Sequence, residues 1–165
     1  MNIKTVLGSI AMAAAVAANA WAISPGDTAP TFDLPGIDQS SVNLENLRGK
    51  VVILDFWGSW CGPCKESFPV FSQLNRELTA KGVVMVAINN DTNIDKARKF
   101  LEQVGGVSFQ VIADPKHTMA KEYGVKVMPT TLVIDQAGVV RFVHEGYHEG
   151  EDDVLRQEVG SLLGQ

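Results

Sequence analysis

The longest apolar runs of this 165-residue chain predict two central β-strands. Residues 51–57 are apolar except for Asp55, and residues 83–88 are apolar throughout. Continuous apolar runs of this length are typical of strands buried on both faces of a sheet. Shorter runs predict three more strands, and the last two of these form a hairpin across residues 136–138. These three strands are expected at residues 109–113, 131–135 and 139–143.

Between these runs the apolar positions have helical spacing. From residue 62 to residue 81 they recur every three or four residues, and Gly82 then favours a stop. Pro69 lies inside this segment and should kink the helix. Further helices are predicted at residues 95–104, 116–123 and 151–163.

The segment before the first central strand, residues 26–50, is rich in turn-forming residues. It predicts a hairpin followed by a short helical turn at residues 45–50. Strands that alternate with helices, then a hairpin and a final helix, predict one α/β domain over residues 23–165. We expect a central mixed β-sheet with helices on both faces and an N-terminal hairpin extension.

Residues 1–22 have the pattern of a secretory signal peptide. Lys4 precedes an apolar, alanine-rich stretch at residues 6–18, and small residues then allow cleavage after Ala20 or Ala22. An uncleaved membrane anchor is the alternative, but this stretch is short for a membrane span. We therefore expect export to the periplasm, with no membrane insertion after cleavage.

Charge excludes one class of partner. Lys4 is the only charged residue of the signal segment, so the rest of the chain has 13 basic and 19 acidic residues. There is no basic patch, and nucleic-acid binding has no support. The acidic balance favours solubility, and we expect a monomer.

Both cysteines lie in one tetrapeptide, Cys61-Gly62-Pro63-Cys64, where the first central strand gives way to a helix. In an exported protein, a pair of cysteines ordinarily forms a structural disulfide. A loop this short restricts the unfolded chain little, on the order of 2 kcal/mol. A helix N-terminus also favours a thiolate, so a redox role is the better hypothesis.

The surroundings of this tetrapeptide resemble the thioredoxin active site. Trp60 precedes it, Asp55 lies six residues before Cys61, and Pro69 lies eight residues after Cys61. Met128-Pro129-Thr130 precedes a strand, where thioredoxins place a cis-proline, and Gly146 follows the last strand. The N-terminal block 29–32, the extra helix after the second central strand and the phrase at residues 129–135 further resemble TlpA/ResA-type thioredoxin-like oxidoreductases.

That resemblance implies a thioredoxin fold with an inserted helix, and a role for each cysteine. Cys61, at the helix start, would attack a substrate disulfide, and the deeper Cys64 would resolve the mixed disulfide. Asp55 would take the proton from Cys64, although a buried carboxyl held by backbone donors is the alternative.

Four further residues complete the implied site. Gly62 allows a sharp turn, and Pro63 stiffens the first helical turn. Pro129, if cis, leaves the backbone of Met128 free to bind an extended substrate, whereas the Met128 side chain could merely pack. Trp60 is expected to form a platform beside the cysteines.

Two positions depart from the resemblance. The lysine that thioredoxins place on the strand beside the buried acid is replaced by Ala87. The glutamate that some ResA-type proteins carry three residues after the second cysteine is replaced by Ser67, and Glu66 should face elsewhere.

Other functions remain as alternatives. A zinc site would need more ligands near the cysteines, but His117, His144 and His148 are scattered, so we expect no metal and no cofactor. A peroxiredoxin-like peroxide reductase would need a threonine where Gly58 stands. A non-catalytic protein-binding module is the third possibility, and it would not depend on Cys61.

The resemblance also implies partners. Gly-Pro between the cysteines is similar to reducing thioredoxins, so we expect a reductant of disulfides in periplasmic or secreted proteins. A DsbD-like or CcdA-like membrane protein would supply its electrons. Cytochrome c maturation is one candidate process, and copper assembly or repair of oxidised secreted proteins are others.

Overall fold

The computed structural model describes residues 22–164, which form a five-stranded mixed sheet with helices on both faces. The strand order is β5-β4-β3-β6-β7. The strands are β3 (Val52–Trp57), β4 (Val84–Asn89), β5 (Gln110–Ala113), β6 (Thr130–Ile134) and β7 (Val140–Glu145). Strands β3, β4 and β5 run parallel, whereas β6 is antiparallel to β3 and to β7. The predicted α/β architecture with a mixed sheet is confirmed, and it is the thioredoxin fold.

The predicted N-terminal hairpin is a separate two-stranded sheet of β1 (Asp33–Pro35) and β2 (Ser41–Asn43). A 3-10 helix, Leu44–Leu47, follows it. The hairpin joins the main sheet through a bridge between Gly36 and Ile112. Phe32, Val42 and Leu44 are buried in the core on this side of the sheet.

Alternating side chains of β3 divide the core into two halves. Ile53 and Trp57 face α1 (Gly62–Thr79), α2 (Ile94–Gln103) and α4 (Glu151–Leu163). Leu54 and Phe56 face the N-terminal segment and α3 (Thr118–Glu122). By the same alternation Asp55 points to the half that contains α1 and α4. The run that predicted a doubly buried strand is therefore buried at every position.

The inserted helix α2 is held by aromatic contacts. The ring of Phe100 lies 5.0 Å from that of Trp57 and 5.5 Å from that of Phe68, measured between centroids. These rings pack at an angle to one another, as aromatic side chains prefer. The insertion is thereby part of the core beneath the end of β3.

Several predicted boundaries differ by one to three residues. Helix α3 begins at Thr118 and not at residue 116, because His117 has a left-handed φ of 57° and Asp114 caps the helix. The Asp114 carboxylate accepts the N–H groups of Thr118, Met119 and Ala120. Helix α1 ends at Thr79, with Pro69 inside it as predicted. Strand β7 continues to Glu145, where it pairs with Thr130.

The predicted signal peptide lies outside the described residues, apart from Ala22. Within residues 22–164, none of the helices has the length and apolar character that a membrane crossing requires.

Candidate active site

The two cysteines lie at the junction of β3 and α1. Cys61 is the residue before the first turn of α1, and its Sγ accepts the N–H of Cys64 at 3.2 Å. The two sulfurs form a disulfide. Gly62 and Pro63 form the exposed first turn, where the missing N–H of proline leaves no helical hydrogen bond unmade.

The two sulfurs differ in accessibility. Cys64 is 0% exposed and Cys61 is 4% exposed, so Cys61 is less open than a helix start suggests. Trp60 next to it is 64% exposed and forms the outer edge of the site. Of the two cysteines, only Cys61 keeps exposed surface.

A polar anchor that sequence reasoning missed holds the turn between β3 and the disulfide. Asp91, which is buried, accepts the Ser59 N–H at 2.9 Å and the Ser59 hydroxyl at 2.7 Å. Asn89 donates to the same carboxylate at 2.7 Å. The sequence did contain a signal for this anchor: polar residues follow directly on the apolar run of β4. Because β4 is parallel to β3, these residues lie at the same edge of the sheet as the end of β3.

Met128 and Pro129 lie before β6, which pairs with β3. The Met128–Pro129 peptide bond is cis, as the resemblance implied. The Pro129 carbonyl accepts the N–H of Gly146 at 2.8 Å. We find no hydrogen bond between the main chain of Met128 and another described residue. An added strand is a candidate partner for this backbone.

Asp55 is buried in the sheet on the same face as the cysteines. It is 1% exposed, and its Oδ1 accepts the Thr131 hydroxyl at 2.9 Å. Its Oδ2 has no hydrogen-bond partner among the described residues. Burial raises the pKa of Asp55 from 3.8 to about 8; the hydrogen bond from Thr131 opposes this rise, and the charge of Glu151 adds to it. This carboxyl is therefore a candidate for proton exchange near neutral pH.

The structure places both departures from the thioredoxin pattern. Ala87 on β4 is in register with Asp55, at the position where a lysine was expected by resemblance. Ser67 is fully buried and donates to the Cys64 carbonyl at 3.2 Å, whereas Glu66 is exposed. Neither position supplies a charge to the disulfide from within the core.

Glu151 is the second residue that sequence reasoning missed. An acid in the first turn of a helix ordinarily lies at the surface and interacts with the helix dipole. Glu151 is instead 6% exposed, its Oε2 accepts the His148 N–H at 3.2 Å, and its charge adds to the rise in the pKa of Asp55. The position of an acid in the first turn of a helix does not predict this, because only the packing of α4 on the sheet buries Glu151.

The described residues contain no group of histidine, cysteine and acidic side chains that could hold a metal ion. At Gly58, an added side chain would start 2.7 Å from the Trp60 ring, so a threonine there would displace Trp60. The Trp60 ring therefore fills the space that the threonine side chain of a peroxide reductase would need at this position.

This geometry defines a thioredoxin-like protein with a dithiol redox site, and comparisons with known proteins agree. The AhpC/TSA family model matches residues 25–143. The thiol-disulfide oxidoreductase ResA of Geobacillus thermodenitrificans is 33% identical over 141 residues, covering 86% of this chain and 79% of the relative. ResA of Bacillus subtilis is 36% identical over 126 residues, covering 76% of this chain and 70% of the relative.

Solved structures show the same similarity. A Chlorobium tepidum protein assigned as the thiol:disulfide interchange protein DsbE is 43% identical with a TM-score of 0.81, covering 87% of this chain and 100% of that one. A Bacteroides thetaiotaomicron protein assigned as a protein disulfide isomerase is 26% identical with a TM-score of 0.79, covering 87% and 92%. The chain therefore belongs to the AhpC/TSA family and, by these similarities, to the thiol-disulfide oxidoreductases within it.

Proposed function

We propose that the protein is an exported reductase of protein disulfides that works by dithiol–disulfide exchange at Cys61 and Cys64. The observation that carries this proposal is the disulfide at the start of α1, in which Cys64 is fully buried and Cys61 keeps 4% exposure, with the buried Asp55 on the same face of the sheet. Reduced Cys61 attacks a substrate disulfide from its accessible side. Cys64 then loses its proton to Asp55 and displaces the substrate thiolate, which reforms the Cys61–Cys64 bond.

Two features support a protein substrate. The free main chain of Met128 and the exposed Trp60 ring offer an extended peptide a strand partner and an apolar surface. Beside them a surface cavity is lined by Trp60, Met128 and the side chains of Lys116, Lys121 and Lys126. Because the chain as a whole is acidic, this cationic rim favours substrates with acidic residues next to their disulfide.

The N-terminal segment supports export, since residues 1–22 have the charge and apolar pattern of a signal peptide. A reductant in the periplasm needs electrons from the other side of the membrane, and a DsbD-like or CcdA-like protein is the proposed donor. Proteins oxidised during export and the thiols used in cytochrome c maturation are the proposed substrates. We propose that the protein acts there as a monomer and without a cofactor.

Single-cysteine variants test this proposal. Cys64→Ser should trap a mixed disulfide between Cys61 and a disulfide-containing protein, seen on non-reducing gels and by mass spectrometry. Cys61→Ser should trap none, because Cys64 is buried. A mixed disulfide formed through Cys64 in Cys61→Ser would contradict the mechanism. A Cys61→Ser variant that keeps its full cellular role would also contradict it and would favour a binding module.

The direction of electron flow is tested by the reduction potential of the Cys61–Cys64 pair. A reductant should have a potential near the roughly −270 mV of thioredoxin, whereas strong oxidants lie near about −120 mV. A value close to the latter would reverse the proposed direction without changing the site.

A further inference from the structure

A single turn joins the end of β3 to the first cysteine. The Gly58 carbonyl accepts the Cys61 N–H at 3.0 Å, which closes a four-residue turn with Ser59 and Trp60 in its middle. The Trp60 ring lies against Gly58, since a Cβ added there would be 2.7 Å from the ring. The position of this turn therefore sets where the Trp60 ring and the Cys61 sulfur stand at the start of α1.

Asp91 binds the second residue of this turn at two points. Its Oδ2 accepts the Ser59 N–H at 2.9 Å, and its Oδ1 accepts the Ser59 hydroxyl at 2.7 Å. Two hydrogen bonds from one residue to the two oxygens of one carboxylate fix the orientation of that residue as well as its distance. Ser59 is therefore held in one place, and the rest of the turn is placed with it.

The carboxylate of Asp91 is itself held by the ends of three strands. Asn89, the last residue of β4, donates its side-chain amide to Asp91 Oδ2 at 2.7 Å and accepts the Asp91 N–H at 3.1 Å. The Asn89 carbonyl accepts the N–H of Asp114, just after β5, at 2.8 Å. The Asn90 N–H donates to the Trp57 carbonyl of β3, also at 2.8 Å. Asp91 is therefore a fixed point at this edge of the sheet.

This anchor is more than the turn needs in order to close. Asp91 is 4% exposed, and the three groups that donate to it, from Ser59 and Asn89, are uncharged. A buried carboxyl group that only uncharged donors bind is costly to a fold. The turn is already closed by its own main-chain bond between Gly58 and Cys61. What Asp91 adds is therefore a fixed position for the turn.

The position of the Cys61 sulfur decides how reactive it is. Cys61 precedes the first turn of α1, and its Sγ accepts the Cys64 N–H at 3.2 Å. The unpaired N–H groups and the dipole of a helix stabilise a thiolate only close to the first turn. A sulfur displaced from this place would be a weaker nucleophile near neutral pH, because a smaller share of it would be ionised.

We propose that Asp91 is a positioning residue for Cys61: through Ser59 it fixes the turn that holds the Cys61 sulfur at the start of α1, where the helix stabilises its thiolate. This inference rests on the proposed function for the role of Cys61 as the attacking thiol. It assigns to the end of β4 a part in the reactivity of a cysteine that lies well before it in the chain.

Alkylation of the reduced protein by iodoacetamide tests this inference, with mass spectrometry to follow the product at Cys61. The ratio of the alkylation rate at pH 7 to that at pH 10 reports the ionised share of the thiol, and a change in accessibility cancels from it. In Ser59→Ala, which removes one hydrogen bond to Asp91 and no charge, this ratio should fall about threefold or more. Ser59→Thr keeps the hydroxyl and should keep the ratio of the parent.

A double-mutant cycle shows whether Ser59 acts through Asp91. In an Asp91→Ala background, Ser59→Ala should change the ratio by less than about 1.5-fold, because the hydroxyl no longer has that acceptor. The cycle compares two variants that both lack the Asp91 charge, so the charge itself does not enter the comparison. Ser72→Ala is the matched control: it removes another buried serine hydroxyl, which accepts the Ser108 N–H, and it should leave the ratio as in the parent.

An unchanged ratio in Ser59→Ala would overturn the inference, even if the variant were less stable in urea, because the anchor would then serve stability alone. A ratio in Ser59→Thr as low as that in Ser59→Ala would overturn it too, and so would a full threefold loss in the Asp91→Ala background. If Asp91→Ala does not fold, the two Ser59 variants decide. The assay uses no protein substrate, so a chain that reduced no disulfide would overturn the proposed function and leave the positioning of Cys61 to be decided by the ratio.

Discussion

Ala87 on β4 stands in register with Asp55 on β3, so the strand next to the buried acid provides no cation. An adjacent lysine would favour the carboxylate and lower its pKa. In its absence burial dominates, and the pKa of Asp55 rises to about 8. The pKa of Asp55 is therefore set by burial, by Thr131 and by Glu151.

Ala87→Lys should restore a charge next to Asp55. We expect the midpoint of the Asp55 titration, followed by infrared spectroscopy, to fall by about one pH unit or more. Ala87→Met, which adds similar length without charge, separates this effect from crowding in the core. If the lysine and methionine variants titrate alike, a missing cation does not explain the raised pKa.

Asp55→Asn should change how stability depends on pH. The folded chain holds a proton on Asp55 up to about pH 8, while the unfolded chain releases it near pH 3.8. The free energy of unfolding of the parent therefore falls as pH rises through this window and levels off above it. The advantage of Asp55→Asn over the parent should grow from pH 5 to pH 8, reaching roughly 2 kcal/mol or more.

Urea unfolding of the oxidised protein at several pH values measures this difference. Asp33→Asn serves as the control, since Asp33 is an exposed acid of the N-terminal hairpin. A constant difference between Asp55→Asn and the parent at all pH values would show that Asp55 is ionised throughout.

The lysine rim beside Trp60 should select substrates by charge. In Lys121→Glu combined with Lys126→Glu, the rate of reduction of a disulfide peptide flanked by acidic residues should fall about tenfold at low salt. The effect should shrink in 0.5 M salt, because screening weakens exposed charges. Lys99→Glu on α2 is the control and should leave the rate unchanged. If the double variant lost as much activity toward a peptide flanked by basic residues, selection by charge would be contradicted.

Phe100 should be the main anchor of the inserted helix. Phe100→Ala removes contacts with Trp57 and Phe68 and should lower the free energy of unfolding by about 3 kcal/mol. Glu102→Ala, an exposed change on the same helix, should have an effect below about 0.5 kcal/mol. Comparable losses in both variants would mean that α2 is held by something other than its aromatic contacts.

Much of the fold could be predicted from local patterns. The strands at the centre of the sheet were identified because burial on both faces requires an unbroken apolar run, as in Val52–Trp57. The start of α3 was placed two residues early, because the side chain of Asp114 and the left-handed His117 decide where that helix begins. Such capping depends on side-chain direction, which apolar spacing does not report.

The site was predictable in part, for a similar reason. Cys61, Cys64 and Asp55 share one strand–turn–helix segment, so their spacing along the chain is also their arrangement in space. Asp91, just after β4, and Glu151, at the start of α4, lie far from this segment along the chain, so its spacing does not point to them. The anchoring of Ser59 by Asp91 and the burial of Glu151 become visible only when the sheet and helices are packed.

The sequence by itself determined that this chain is an α/β protein with two thiols at a helix start, because apolar periodicity and a four-residue motif are local properties. Only the tertiary structure decided which of those thiols a substrate can reach, and what surrounds the acid beside them. Burial inside the sheet raises the pKa of Asp55, the Thr131 hydroxyl opposes the rise and the charge of Glu151 adds to it, and all three effects depend on strands and helices far apart in the chain.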